Sequence, residues 1–168
     1  GIEKPDAGKV MVFGKDIAGL GRRELKKLRL RIGYLFQSGA LLNWMTVEEN
    51  VELPILEHCP ELSKKERRER VLETLRLVSM ESARYKYPSE ISGGMKKRAA
   101  LARAIVFHPE LIIYDEPTTG LDPVIASTIN DLIVETGGKL GTTQIVVTHD
   151  MESAYKIGNR IAMLYEGR

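Results

Sequence analysis

A single cysteine, few aromatic residues, almost no net charge and no long apolar run are the first constraints this 168-residue sequence sets. Cys59 has no partner for an internal disulfide, which fits a reducing compartment, and no cluster of Cys and His has the spacing of a metal site. No apolar stretch approaches the roughly 20 residues a membrane helix requires, so the chain itself is not expected to cross a bilayer. Lys and Arg number 25 against 23 Asp and Glu, a formal charge of +2, and charge alone makes no case for nucleic acid. What is present, 43% hydrophobic and 29% charged residues, is the composition of one globular domain with a substantial core rather than a disordered segment. The first residue is Gly1, not an initiator Met, and no secretory signal precedes it, so the chain reads as starting partway into something larger.

Hydrophobic periodicity and turn residues divide the chain. Pro5-Asp6-Ala7-Gly8 is a turn signal, and Val10–Phe13 closed by Gly14 reads as the first strand of a hairpin edge. Arg22–Arg31 is a basic helix with Leu25 and Leu28 on one face, followed by a strand over Ile32–Phe36 that ends at Gln37. Trp44 reads as core or as part of an exposed contact. Thr46 with Glu49 is a capping box opening a helix that Pro54 should stop at about Leu53, and Ser63 with Glu66 opens a second helix running to Val78. The charge run Lys64–Arg70 reads as that helix's wet face. A third helix follows Ser92-Gly93-Gly94 to about Phe107, where Ala99, Ala102 and Ala104 permit close packing. Beyond it come a strand at Leu111–Tyr114, a helix from about Asp122 to Glu135 broken at Gly137-Gly138, a β-branched strand at Gln144–Thr148, a helix at Met151–Ile157 and a strand at Arg160–Tyr165. Alternating strands and helices imply right-handed crossovers and a parallel sheet.

Chemistry concentrates at the ends of these strands. Asp115 and Glu116 end one apolar strand and His149 ends another, and ligands of a doubly wound sheet bind at that carboxyl edge. Neighbouring strand residues point opposite ways, so the two acids cannot play the same part; one can hold the water shell of Mg²⁺ while the other faces an attacking water. Two solvated acids at a strand end is the plainer reading of the pair, and the residues around it weigh against that reading. A lone histidine is usually structural, a reading that His58 and His108 do not escape and His149 does by its position. Ser92-Gly93-Gly94 opening a basic helix is a natural site for a phosphate, because free N–H groups and the helix dipole point at it.

These segments together resemble the ATP-binding cassette (ABC) ATPases. Ile91-Ser92-Gly93-Gly94-Met95 resembles their signature motif, Leu111–Asp115 with Glu116 their Walker B strand and catalytic carboxylate, Thr119-Gly120-Leu121-Asp122 their D-loop, Thr148-His149-Asp150 their switch histidine, and Gln37 their Q-loop. Ile2–Gly8 is similar to the segment after the family's first helix. The resemblance implies an α/β fold of the P-loop NTPase (RecA-like) class, with a parallel-sheet core at 1–39 and 104–168 and a small helical subdomain at 40–103. It implies ATP and Mg²⁺ as ligands: Asp115, with Gln37, would hold Mg²⁺ through water, Glu116 would polarise the hydrolytic water, His149 would contact the γ-phosphate, and Gln37 would sense it. Ser92, Gly93, Gly94 and Met95 would cap ATP held by a second copy, giving a homodimer with nucleotide sandwiched between subunits and Asp122 at the contact.

Two departures stand out. Met95 occupies a position where Gln is commonest in the family, and no G-x-x-x-x-G-K-[ST] phosphate loop (Walker A) is present, since Gly8-Lys9, Gly14-Lys15 and Gly138-Lys139 are each followed by neither Ser nor Thr. The expectation is therefore an ABC ATPase domain lacking its N-terminal part. Phe36–Leu41, Ser92–Met95 and Arg98–Ala104 resemble the Mla/Mce-type branch, also known as toluene-tolerance or organic-solvent-resistance ATPases. That branch implies phospholipid or another hydrophobic substrate, a transmembrane permease, an envelope-anchored Mce-type binding protein and a place on the cytoplasmic side of a bacterial inner membrane. The alternatives are an importer ATPase for amino acids or metals and a scaffold fragment without activity; the Gln37–Ser92 interval is too short for the coiled-coil insertion of the DNA-repair class. These 168 residues alone are expected not to bind ATP tightly, and nucleotide titration in the presence of Mg²⁺ checks this.

Overall fold

The fold is built on a three-stranded parallel sheet and the helices on one of its faces. A computed structural model describes residues 3–167; Ile2, the first residue of the Ile2–Gly8 resemblance, lies outside them. A hairpin comes first, with β1 (Met11–Val12) antiparallel to β2 (Lys15–Asp16). Phe13 and Gly14 both have positive φ, 50° and 75°, the two-residue turn whose twist suits a hairpin. The Arg31 guanidinium lies 3.9 Å from the centre of the Phe13 ring and forms a two-pronged ion pair with Glu110 at 2.6 and 2.7 Å, tying the hairpin to the sheet's lower edge.

The helix α1 (Arg22–Arg29) leads into β3 (Ile32–Leu35), which pairs in parallel with β4 (Leu111–Asp115), and β4 with β5 (Thr143–Val147). The register places Leu35 beside Tyr114 and Asp115 beside Val147. One face of the sheet is covered, so Leu35, Ile112 and Tyr114 are buried, while Tyr34, Ile145 and Val147 on the other are exposed. β5 therefore shows the alternation of a half-covered strand rather than the burial on both faces usual in parallel sheets.

The helix α4 (Gly93–Ile105) seats directly on the sheet. A Cβ at Gly33 would lie 2.5 Å from the Ala104 carbonyl oxygen, so only glycine lets helix and strand approach so closely. Buried Ala99, Ala100 and Ala102 keep the same helix close to its other neighbours, α2 (Val47–His58) and α3 (Lys64–Leu77). Both capping boxes form: Thr46 with Glu49 opens α2 and Ser63 with Glu66 opens α3.

Four expectations need correction. α2 does not stop before Pro54 but continues to His58. An interior proline costs about 3 kcal/mol through its missing N–H and its ring, and full burial of Ile55 just beyond it, at about 1.5–3 kcal/mol, offsets much of that. α5 (Pro123–Leu140) likewise runs through Gly137-Gly138 and ends at Gly141, whose φ of 62° is left-handed. Gly137 is where the Gln144 side chain lies against the helix, 2.6 Å from a would-be Cβ, and Gln144 donates from there to the Ile133 carbonyl and the Tyr114 hydroxyl. After α6 (Met151–Ile157), Arg160–Tyr165 forms no strand: it pairs with none of the described strands, and Ile161, Met163, Leu164 and Tyr165 are exposed. Trp44 is 75% exposed, so of its two readings the core one is overturned.

Asn50 carries the loop before α2. Its fully buried amide accepts from Leu42 N–H at 2.8 Å and donates to the carbonyls of Leu42, Met45 and Thr46 at 3.0–3.1 Å. Asn50→Ala strands these groups and should lower stability by about 3 kcal/mol in denaturant unfolding, whereas Trp44→Ala should change it by less than about 0.5 kcal/mol.

Candidate functional site

Three loops meet at the carboxyl edge of the sheet: those after β3, β4 and β5. Asp115 is the last residue of β4, half-buried, and accepts a hydrogen bond from the Tyr34 hydroxyl at 3.3 Å. Glu116 follows in the left-handed region at φ 47°, unusual for a non-glycine residue and costing about 1 kcal/mol or more. Its N–H still donates to the Val147 carbonyl at 2.9 Å, so the turn away from the strand begins only at its side chain and carbonyl. Asp115 and Glu116 thus take different surroundings, as alternation along a strand requires.

The Glu116 carboxylate is held by groups from two loops. Oε1 accepts from the His149 N–H at 3.0 Å and lies 2.8 Å from His149 Nδ1, while Oε2 accepts from the Thr119 hydroxyl at 3.0 Å and lies 3.5 Å from the Thr148 hydroxyl. Burial pushes the Glu116 pKa up, but the hydrogen bonds from His149 and Thr119 outweigh it, and the net direction is down. His149, largely exposed, is shifted up by its hydrogen bond to Glu116 and that carboxylate's charge. An ionised carboxylate fixed by several donors beside an imidazole can orient and polarise a water molecule.

Gln37 lies two residues beyond β3, exposed, with its carbonyl turned inward to the ammonium of Lys97. The same ammonium donates to the Glu116 carbonyl at 3.2 Å. Burial lowers the Lys97 pKa, against the opposing charges of Glu116 and Asp115. Asp150 caps α6, accepting from Glu152 and Ser153 N–H groups, and its own N–H donates to the Thr148 hydroxyl, which fixes the loop carrying His149.

Ser92 caps α4, its hydroxyl accepting from Met95 N–H at 3.3 Å, with Ser92 and Gly93 exposed and Gly94 buried. Both glycines also have packing reasons: a Cβ at Gly94 would meet Ile125 at 2.6 Å and one at Gly93 would meet Leu121 at 3.3 Å. Asp122 caps α5, accepting from Val124 and Ile125 N–H groups at 3.1 and 3.0 Å. The geometry brings Gln37, Asp115, Glu116 and His149 to one sheet edge. Ser92–Met95 and Asp122 lie where α4 and α5 begin.

Sequence reading missed Tyr34, Lys97, Thr119 and Thr148. Thr119 and Thr148 were within reach, since they sit inside the D-loop-like and switch-histidine-like segments; nothing in the local sequence distinguishes Lys97 from the other cations of a basic helix. Among the described residues no three of His, Cys, Asp and Glu converge as a metal cage. Asp115, an exposed-edge carboxylate with one phenolic donor, fits a Mg²⁺ ion held mainly by water and by a ligand's oxygens.

Comparison with known proteins gives the chain's relatives. The sequence profile of the ABC transporter family matches residues 1–119. The chain is 42% identical to "Methionine import ATP-binding protein MetN" of Rhizobium johnstonii, over 100% of this chain and 46% of the relative. It is 38% identical to "Probable ribonucleotide transport ATP-binding protein mkl" of Mycobacterium leprae, over 98% and 47%. Among solved structures it is similar to the ATP-binding cassette MJ0796, a dimer in a post-hydrolysis state bound to ADP and Pi, with TM-score 0.80 and 36% identity over 92% of this chain and 68% of that one. It is also similar to cbiO1 of Clostridium perfringens, part of the transporter complex cbiONQ, with TM-score 0.81 and 37% identity over 89% and 59%. The chain spans about half the length of the curated relatives it matches.

Because Glu116 is lowered and His149 raised, the pair contributes stability fully between about pH 4.3 and about pH 6.5, losing it below as Glu116 protonates and above as His149 deprotonates. NMR titration should find the His149 midpoint above about 6.5, falling in Glu116→Gln.

Proposed function

The chain belongs to the ABC transporter family and has the α/β fold of its ATPases, and from that premise we propose that it is the nucleotide-hydrolysing part of a transporter's ATP-binding subunit. The observation that carries the reading is the Glu116 carboxylate, ionised and held against His149 and Thr119 at the sheet edge where ligands of such folds bind. Glu116 would orient the attacking water, His149 and Gln37 would face the terminal phosphate, and Asp115 with Gln37 would hold Mg²⁺ through water. Mg²⁺, when bound, offsets phosphate charge; the protein's own contribution is placement of the water and exclusion of alternative geometries.

Ser92, Gly93, Gly94 and Met95 form an exposed helix N-terminus suited to a phosphate, and we assign them to nucleotide carried by a second copy, with Asp122 at that contact. The dimeric, ADP- and Pi-bound state of the similar cassette supports this arrangement. Residues 1–39 with 104–168 form the catalytic core and 40–103 the helical part facing a transmembrane permease. No described helix is long and apolar enough to cross a membrane, which is compatible with a peripheral subunit on the cytoplasmic face.

For substrate, the relatives' names favour the importer reading, with a small solute such as methionine, over phospholipid. A lipid substrate with an Mce-type binding protein is the second reading, favoured by Gln37-Ser38-Gly39-Ala40 and Gly94-Met95. In the full-length protein, Glu116→Gln should lower Mg-ATP turnover about 100-fold or more while ATP stays bound, and unchanged hydrolysis would refute the assignment. Proteoliposomes with the co-encoded permease should take up labelled methionine; phospholipid extraction instead would select the second reading.

A further inference from the structure

Lys97 and Arg103 of α4 both donate to backbone carbonyls of the loops that follow strands. Lys97, 7% exposed, donates to the carbonyls of Gln37 and Glu116. Two turns further on, Arg103 donates to the carbonyls of Ala40 and Gly39 at 2.7 and 2.8 Å. Gly39, Ala40 and Glu116 all have positive φ, 75°, 47° and 47°. The loop after β3 and the first residue after β4 thus leave regular strand geometry at the points where their carbonyls meet α4.

The consequence is largest at Glu116. Its N–H is fixed by Val147 of β5 and its carbonyl by Lys97, so both of its peptide planes are tied and the direction of the carboxylate is set from outside its own strand. Gln37 is tied to the same ammonium. One buried ammonium thus supplies a charged donor to two inward-facing carbonyls from different loops, in place of water.

We infer that Lys97 is a positioning residue for the hydrolytic site, the tie through which α4 fixes Gln37 and Glu116 relative to each other, with Arg103 anchoring the loop behind Gln37. The inference rests on the proposed ATPase reading. A shift of α4, whose first turn carries Gly93 next to its cap Ser92, moves both ends of the tie together. Contact at the start of this helix is thereby coupled to the placement of the carboxylate that faces water.

The test uses the full-length protein. Lys97→Met keeps the length of the side chain and removes both hydrogen bonds; Lys97→Arg keeps donors. K97M should lower kcat for Mg-ATP about tenfold or more with KM changed less than about twofold, and K97R should recover most of the loss. Without nucleotide, hydrogen exchange at the Glu116 amide should speed up in K97M and not in K97R. Should K97M fail to fold, K97L, which also lacks donors, takes its place, with expected activity below K97R. Unchanged kcat in the methionine or leucine variant, a loss confined to KM, or equal impairment of K97R overturns the inference. A wild-type protein without Mg-ATP turnover would overturn the ATPase reading instead, and the exchange measurement would still test the tie.

Discussion

The close seating of α4 on β3 is the constraint from which the rest of the arrangement follows. Gly33 leaves room for the Ala104 carbonyl where any Cβ would intrude, and a run of buried alanines keeps α4 near α2 and α3 on its other sides. With the helix that close, Lys97 reaches the ends of β3 and β4 and Arg103 reaches the loop that follows β3. The helix start is fixed against α5 by the same logic, since Gly94 leaves space for Ile125. Small residues at these points trade buried area for proximity, and proximity is what a site assembled from separate loops requires.

The electrostatics of the site depend on that assembly. Glu116 is pushed toward its neutral form by burial and toward its charged form by His149 and Thr119, and the hydrogen bonds prevail. The carboxylate therefore stays ionised, and its hydrogen bond and charge make the exposed imidazole beside it hold a proton more tightly than a free histidine would. The loop that presents His149 is stiffened by Thr148 and by Asp150 at the start of α6, so the imidazole's position is inherited from a helix cap. The left-handed backbone of Glu116 is local strain at the point where its side chain leaves the strand to meet His149 and Thr119.

Much of this was legible in the linear chain because the signals are local. Capping boxes at Thr46 and Ser63, the alternation of apolar strands with helices, and acids or a histidine directly after those strands each depend on residues within a few positions of one another. The errors have the opposite character. Pro54 and Gly137 read as breaks because local propensity says so, but both lie within helices, where burial of Ile55 and the seat for Gln144 oppose that propensity. Arg160–Tyr165 has the composition of a strand, but composition does not make the pairing, and the segment pairs with none of the described strands.

By itself, then, the sequence determined which residues end the strands and open the helices, and thus that Gln37, Asp115, Glu116 and His149 share the carboxyl edge of a parallel sheet. Only the tertiary structure decided what holds them there. Lys97 is one basic residue among several in a basic helix until the helix packs on β3, and Tyr34 is an ordinary strand residue until register places its hydroxyl beside Asp115. The physical reason is the range of the interactions: propensity and capping act within a turn of chain, whereas these hydrogen bonds join residues 19 to 81 positions apart and exist only after the core has closed.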